Sequence, residues 1–161
     1  MERTYKTQWA TWLKVSSALA SLLMLGATAL VIWLSSIIWL KLLFIVLMPF
    51  EILAAALFTV RSYTITEGEL LIQRLLWKTR IPLQGLVSAQ VDPDALKKNV
   101  IRTCGNGGLF SITGFYYSKP LGHFRAFATN MKNTVVLRFE KRTIVITPSD
   151  PEAFVRDLSC R

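Results

Sequence analysis

The chain has 161 residues, 52% of them hydrophobic, and carries 19 Lys and Arg against 10 Asp and Glu, a formal net charge of +9. A mean hydropathy of +0.40 excludes an ordinary soluble domain of this length, and the apolar excess is confined to residues 13–60. The two cysteines, Cys104 and Cys160, lack the close spacing of a zinc module or a redox pair, and read as inert thiols of a reduced compartment.

Residues 15–34 contain no charged side chain, and about twenty apolar positions are what an α-helix needs to cross the hydrocarbon core. A second apolar run, 37–60, follows at once, which fits a helical hairpin better than a cleaved signal peptide. Ser35 and Ser36 form the connection, Trp33 and Trp39 sit at interfacial level, and Lys41 snorkels outward. Arg3, Lys6 and Lys14 precede the first span and Arg61, Arg74, Lys78 and Arg80 follow the second. This bias places both termini in the cytoplasm of a multi-pass inner-membrane protein. A re-entrant second segment is the less favoured topology.

Glu51 is the costly residue of the hairpin, because a carboxyl near mid-bilayer is unfavourable by a few kcal/mol. Antiparallel packing sets it at about the depth of Ala20, within reach of Ser17 and Ser21. It is either a hydrogen-bonded structural residue or an intramembrane contact for a partner. Ser17, Ala18, Ala20 and Ser21 on one helix face Ala54, Ala55 and Ala56 on the other, which favours close packing. Pro49 removes a backbone donor just before Glu51 and predicts a bend.

Residues 61–161 suffice for one compact domain and not for two. Here continuous apolar sequence gives way to alternation. Runs at 62–66 and 69–74 flank Glu67-Gly68 as a hairpin, and further strands are predicted at 78–83 and 86–91, the last stopped by Asp92-Pro93-Asp94. The pattern returns at 124–129, 134–139 and 143–147, with Glu140-Lys141 as the turn between the last two. Ser149, Pro151 and Glu152 have capping-box spacing and predict a helix from Pro151 to about Cys160, with Ala153, Phe154 and Leu158 on its apolar face. The fold class is therefore α+β: an N-terminal two-helix hairpin, then an antiparallel β sandwich or barrel closed by a C-terminal helix.

The run Tyr63-Thr64-Ile65 with Glu69-Leu70-Leu71-Ile72, the run Arg80-Ile81-Pro82-Leu83, the segment Gly105-Asn106-Gly107-Gly108-Leu109-Phe110, and residues 121–129 and 146–154 together resemble the bacterial pleckstrin-homology-like (PH-like) domains found beside transmembrane helices. The resemblance covers roughly 62–158. It implies two strongly bent antiparallel sheets with a C-terminal helix, no enzymatic activity, and no residue-level site.

Gly105-Asn106-Gly107-Gly108 lacks the Lys-Ser/Thr of a P-loop and reads as a glycine turn of close backbone approach. Leu109, Phe110, Phe115, Tyr116 and Tyr117 read as an aromatic loop that either dips into the lipid interface or covers the sheet. His123 has no partner at metal-ligand spacing, no Gly-x-Ser-x-Gly elbow is present, and Asp92 and Asp94 flank a turn proline. No catalytic residue, cofactor or metal is expected.

Lys97, Lys98, Arg102, Lys119, Arg125 and Lys132 form either one patch for an anionic lipid or partner or a dispersed solvated surface. The first hairpin turn, Thr66-Glu67-Gly68-Glu69, is acidic, which argues against phosphoinositide binding there. No helix-turn-helix or zinc-finger spacing supports nucleic acid. The expectation is a non-enzymatic, membrane-tethered binding or scaffolding module with membrane lipids and a protein as partners. The alternative is an accessory subunit of a membrane transporter or membrane enzyme.

Overall fold

The computed structural model describes residues 2–97 and 99–159; Lys98 and Cys160 lie outside them. Leu- and Ala-rich sequence without a sustained β-branched run winds into α1 (Thr11–Leu34) and α2 (Ile38–Leu57), joined by residues 35–37. Both helices are long and apolar enough to cross a membrane. The Ser35 hydroxyl accepts the Ile37 amide at 3.1 Å in the connection, and Pro49 lies inside α2 without ending it.

Helix α1 starts four residues ahead of the expected span because its first turns pack on the β-rich part of the chain. Leu13 is fully buried there, Ser17 is buried, and the Ala10 amide donates to the Thr129 carbonyl at 3.1 Å.

A short strand, β1 (Arg3–Lys6), precedes the helices, and nothing in its charged, four-residue sequence predicted it. Tertiary pairing makes it. It runs antiparallel to β2 (Ser62–Thr66), with Arg3 opposite Ile65 and Lys6 opposite Ser62. The Thr7 amide continues the ladder to the Arg61 carbonyl at 3.1 Å, and the Ser149 amide donates to the Lys6 carbonyl at 2.9 Å. Arg3 and the Tyr5 hydroxyl both donate to the Asp157 carboxylate; Arg3 first, then Tyr5, hold that carboxyl below its usual range. The segments entering and leaving the helical hairpin are thus hydrogen-bonded to each other.

Strands β2, β3 (Glu69–Gln73) and β4 (Lys78–Pro82) follow β1 in one four-stranded sheet. The β2–β3 turn places Gly68 at φ +90°, where any other residue is strained. The second sheet has the order β5-β9-β10-β8-β7-β6. It comprises β5 (Leu86–Val91), β6 (Ile101–Gly107), β7 (Ile112–Ser118), β8 (Gly122–Ala128), β9 (Val135–Phe139) and β10 (Thr143–Ile146). Strands β9 and β10 form a hairpin with β10 inserted beside β8, so two reversals make β8 and β10 parallel, the remaining neighbours being antiparallel.

The expected aromatic loop is a correction: Phe115, Tyr116 and Tyr117 belong to β7, and the glycine-rich segment is largely β6. Alternation was hidden there by three glycines in the two strands and by β6 being an exposed edge.

One core lies between the sheets, built by inward residues such as Ile65, Leu70, Ile72, Phe127, Leu137 and Ile146, and closed by Phe154 and Leu158 of α3 (Pro151–Ser159). A smaller core on the far face of the second sheet gathers Ile112, Tyr116, Phe124 and Val145 under Ala95 and Leu96. The α3 cap is Asp150 and not the expected Ser149: its carboxylate accepts the Ala153 amide at 2.9 Å, leaving Pro151 as the first helical residue.

Tyr63 is the polar centre of the main core. Its hydroxyl donates to the Phe127 carbonyl and accepts the Thr147 amide at 3.2 Å. Complete burial pushes its pKa up to about 12. Because the folded value exceeds the unfolded one, this contribution is intact below about pH 10 and is lost as pH rises towards 12. Alkaline unfolding followed by circular dichroism should therefore show a steep loss in that window, shallower in Tyr63→Phe, which itself costs about 1–3 kcal/mol at neutral pH by orphaning two buried backbone groups.

Candidate functional site

The β3–β4 hairpin carries an exposed apolar tip, Leu75, Leu76 and Trp77, beside the end of α2, where Trp77 meets the Phe58 ring edge-on at 5.2 Å. Arg74 closes this tip from within, its amide donating to the Trp77 carbonyl at 3.0 Å. The residue is 5% exposed, yet among the described residues it has no carboxylate partner. The guanidinium donates to the Phe58 carbonyl at 2.9 Å and lies over the rings of Phe58, Phe127 and Trp77 at 5.2, 5.3 and 5.7 Å. Aromatic faces and a carbonyl offset part of the cost of burying this charge. Burial, and then the nearby Arg125, lower its pKa.

In front of Arg74 opens a cleft of about 580 Å³ between α2 and the second sheet. Ala54, Ala55 and Phe58 form its helical wall, Phe115 and Phe127 its sheet wall, and Gly105 with Gly114 part of its floor. Arg125 lies opposite Phe115 in the β7–β8 register, on the face of β8 that also carries Phe127, with its guanidinium 5.4 and 4.7 Å from those two rings. An adjoining cleft of about 330 Å³ shares Phe115, Arg125 and Phe127, and runs between β4 and β10, where the two sheets part. Its other lining residues include Arg80, His123, Lys141 and Arg142, and no carboxylate. Among the described residues the two clefts bring five cationic side chains, Arg74, Arg80, Arg125, Lys141 and Arg142, against the single acid Glu51.

Of the six basic residues singled out in the sequence, five are described, and of these only Arg125 lines the clefts. Lys97 pairs with Asp94 at 3.1 Å in the loop after β5; Arg102 lines a separate groove with Tyr116 and Met131; Lys119 lies in the β7–β8 turn and Lys132 in the β8–β9 loop. Lys98 is outside the described residues. Arg74, Arg80, Lys141 and Arg142 were missed because strand register and sheet separation, not sequence proximity, assemble them.

Glu51 faces the first cleft, six residues before the end of α2, and forms no hydrogen bond to Ser17 or Ser21. Ser17 instead accepts the Phe110 amide at 2.8 Å and donates to the Gly108 carbonyl at 3.4 Å, fastening α1 to the β6–β7 connection. The Ser21 hydroxyl is buried without a partner. Tyr117 packs against His123 at 5.0 Å and Tyr116 stacks on Phe124 at 5.9 Å. Among the described residues no group of three His, Cys, Asp or Glu side chains is placed to hold a metal ion.

Two apolar helices followed by two packed sheets and a C-terminal helix define an α+β protein of PH-like architecture. The family model described as "Bacterial PH domain" matches residues 61–161, and the chain belongs to that family. No curated protein and no solved structure gives a significant match.

Proposed function

We propose that this protein is a non-enzymatic binding or scaffolding module tethered at the inner leaflet, with α1 and α2 crossing the membrane as a hairpin and both termini in the cytoplasm. The observation that carries this reading is the clamp across the hairpin's ends. Strand β1 before α1 pairs with β2 after α2, and Thr7 is bonded to Arg61, so no free linker separates the apolar helices from the β-rich domain. Any ligand of the domain is then met at the membrane surface, where confinement raises effective concentration.

The exposed Leu75, Leu76, Trp77 and Phe58 cluster beside α2 supports interfacial seating, since aromatic and aliphatic tips favour that depth. Glu51 then lies about 9 Å from the end of α2, at a rise of about 1.5 Å per residue. That position is nearer the membrane boundary than the mid-bilayer and relieves much of the cost of a carboxyl in lipid.

Topology is the test. In a Cys104→Ser, Cys160→Ser background, Ser36→Cys should react with a membrane-impermeant maleimide in intact cells, and Glu2→Cys only after permeabilisation. Equal protection or equal reactivity of both positions would refute a crossing hairpin.

The accessory-subunit reading also has an observation in its favour. No residue of α2 is buried, which leaves an apolar helix face suited to a larger membrane protein.

A further inference from the structure

The joined clefts have the chemistry of an amphiphile site. One end is apolar and walled by α2; the other is basic and lies where the two sheets part; Arg125 stands at the junction and lines both. We propose that this cleft binds one anionic phospholipid of the surrounding membrane, its phosphate held at Arg125 with Arg80 and Arg142 and an acyl chain laid along Ala54, Ala55 and Phe58. The inference rests on the membrane-tethered reading and names the ligand class for it.

Three observations argue for this occupant. First, charge: among the described residues five cations line the clefts against one carboxylate, and Arg74 is buried with no acidic counter-ion, so an anion entering beside it relieves repulsion from Arg125. A free inorganic anion satisfies that need equally well. Second, shape: Ala54 and Ala55 leave α2 thin at the cleft, and with Phe58, Phe115 and Phe127 they make a wall with nothing to offer a small polar ion but a good surface for a chain. Third, access: the cleft's helical wall is part of an apolar helix, and the exposed Leu75-Leu76-Trp77 tip stands beside it, so a lipid enters laterally without crossing water. Glu51 at the apolar end repels a second anion and gives the site one orientation. The site is separate from the β2–β3 turn, whose Glu67 and Glu69 make it unsuited to a phosphate.

The experiment is native mass spectrometry of the full chain in detergent, titrated with phosphatidylglycerol or with phosphatidylcholine of the same acyl chains, with and without inorganic phosphate. A single phosphatidylglycerol should bind about tenfold more tightly than phosphatidylcholine: both carry the phosphate, but the choline cation of the latter is repelled by the Arg and Lys side chains around it. Arg125→Gln should abolish most of that preference, and Arg80→Gln with Arg142→Gln should do the same. Arg138→Gln removes the same charge outside the clefts and should leave it intact. Should Arg125→Gln lose its fold, judged by circular dichroism, the Arg80 and Arg142 pair decides.

Equal binding of the two lipids, or an unchanged preference in the cleft variants, overturns the proposal. Full displacement by millimolar inorganic phosphate overturns it in favour of a small-anion site. The detergent measurement does not depend on topology, so failure of the maleimide test with intact lipid preference would reject the hairpin and spare the site.

Discussion

Replacing Phe154 by alanine is expected to destabilise the β-rich domain by about 3–5 kcal/mol, the range for deleting a fully buried phenyl ring. The ring has no exposed surface and stands edge-on to Tyr5 at 5.2 Å and to Tyr63 at 6.5 Å. It therefore touches β1, β2 and α3 at one point. A nine-residue helix has little stability of its own, so α3 stays helical through its docking, and Phe154 and Leu158 are its two buried anchors.

Loss of the ring also weakens the seat of β1, and through β1 the clamp on the helical hairpin. For a domain of about a hundred residues each kcal/mol moves the melting midpoint by about 4–8 °C, so the near-ultraviolet transition of the full chain in detergent should fall by at least about 12 °C. A fall under about 4 °C would mean that α3 is not integral to the core. Leu158→Ala, at the rim of the same cluster, should cost less.

What the sequence could show depended on whether the deciding force was local. Strands β2, β3, β5, β9 and β10 are short runs rich in aliphatic, β-branched and aromatic residues bounded by turn signals, and the helices have long apolar runs, so local composition exposed them. Strand β1 was invisible because Arg3 and Lys6 give it no apolar face; it exists through pairing with β2 and the contact of Tyr5 and Arg3 with Asp157. Strands β6 and β7 were hidden by glycines that normally argue against a strand. Of the site, Arg125 was legible as a cation beside aromatic residues. Its companions Arg80 and Arg142 come from β4 and from the β9–β10 turn, and only the gap between the sheets brings them together. Asp150 displaced Ser149 as the cap because the Ser149 amide is held by Lys6 of β1, a contact about 140 residues away that capping rules do not contain.

Gly114→Ala is expected to cost about 2–5 kcal/mol locally, and the loss should appear first at the cleft. Gly105 and Gly114 face each other across β6 and β7 at φ +120° and +143°. A Cβ on Gly114 would stand 2.2 Å from the Cys104 carbonyl oxygen, and one on Gly105 would stand 2.4 Å from that of Thr113. Both obstacles are backbone, so no side chain can swing aside. Conformational strain of about 1–3 kcal/mol adds to a steric term of similar size.

Strand β6 is the sheet's edge, paired among the described residues to β7 alone, so separating the two strands is the least costly relief. That separation breaks the 2.7 Å bond from the Tyr116 hydroxyl to the Asn106 carbonyl and removes Cys104, Gly105 and Asn106 from the cleft floor. Hydrogen exchange should accordingly speed up across Ile101–Gly107 more than in β9 or β10, and anionic-lipid preference should fall with it. Gly26→Ala on α1, where an added Cβ meets nothing within 4 Å, is the control and should leave both unchanged. Retained protection in β6 with a uniform loss elsewhere would show that the glycine pair supports the sheet as a whole and not the cleft wall.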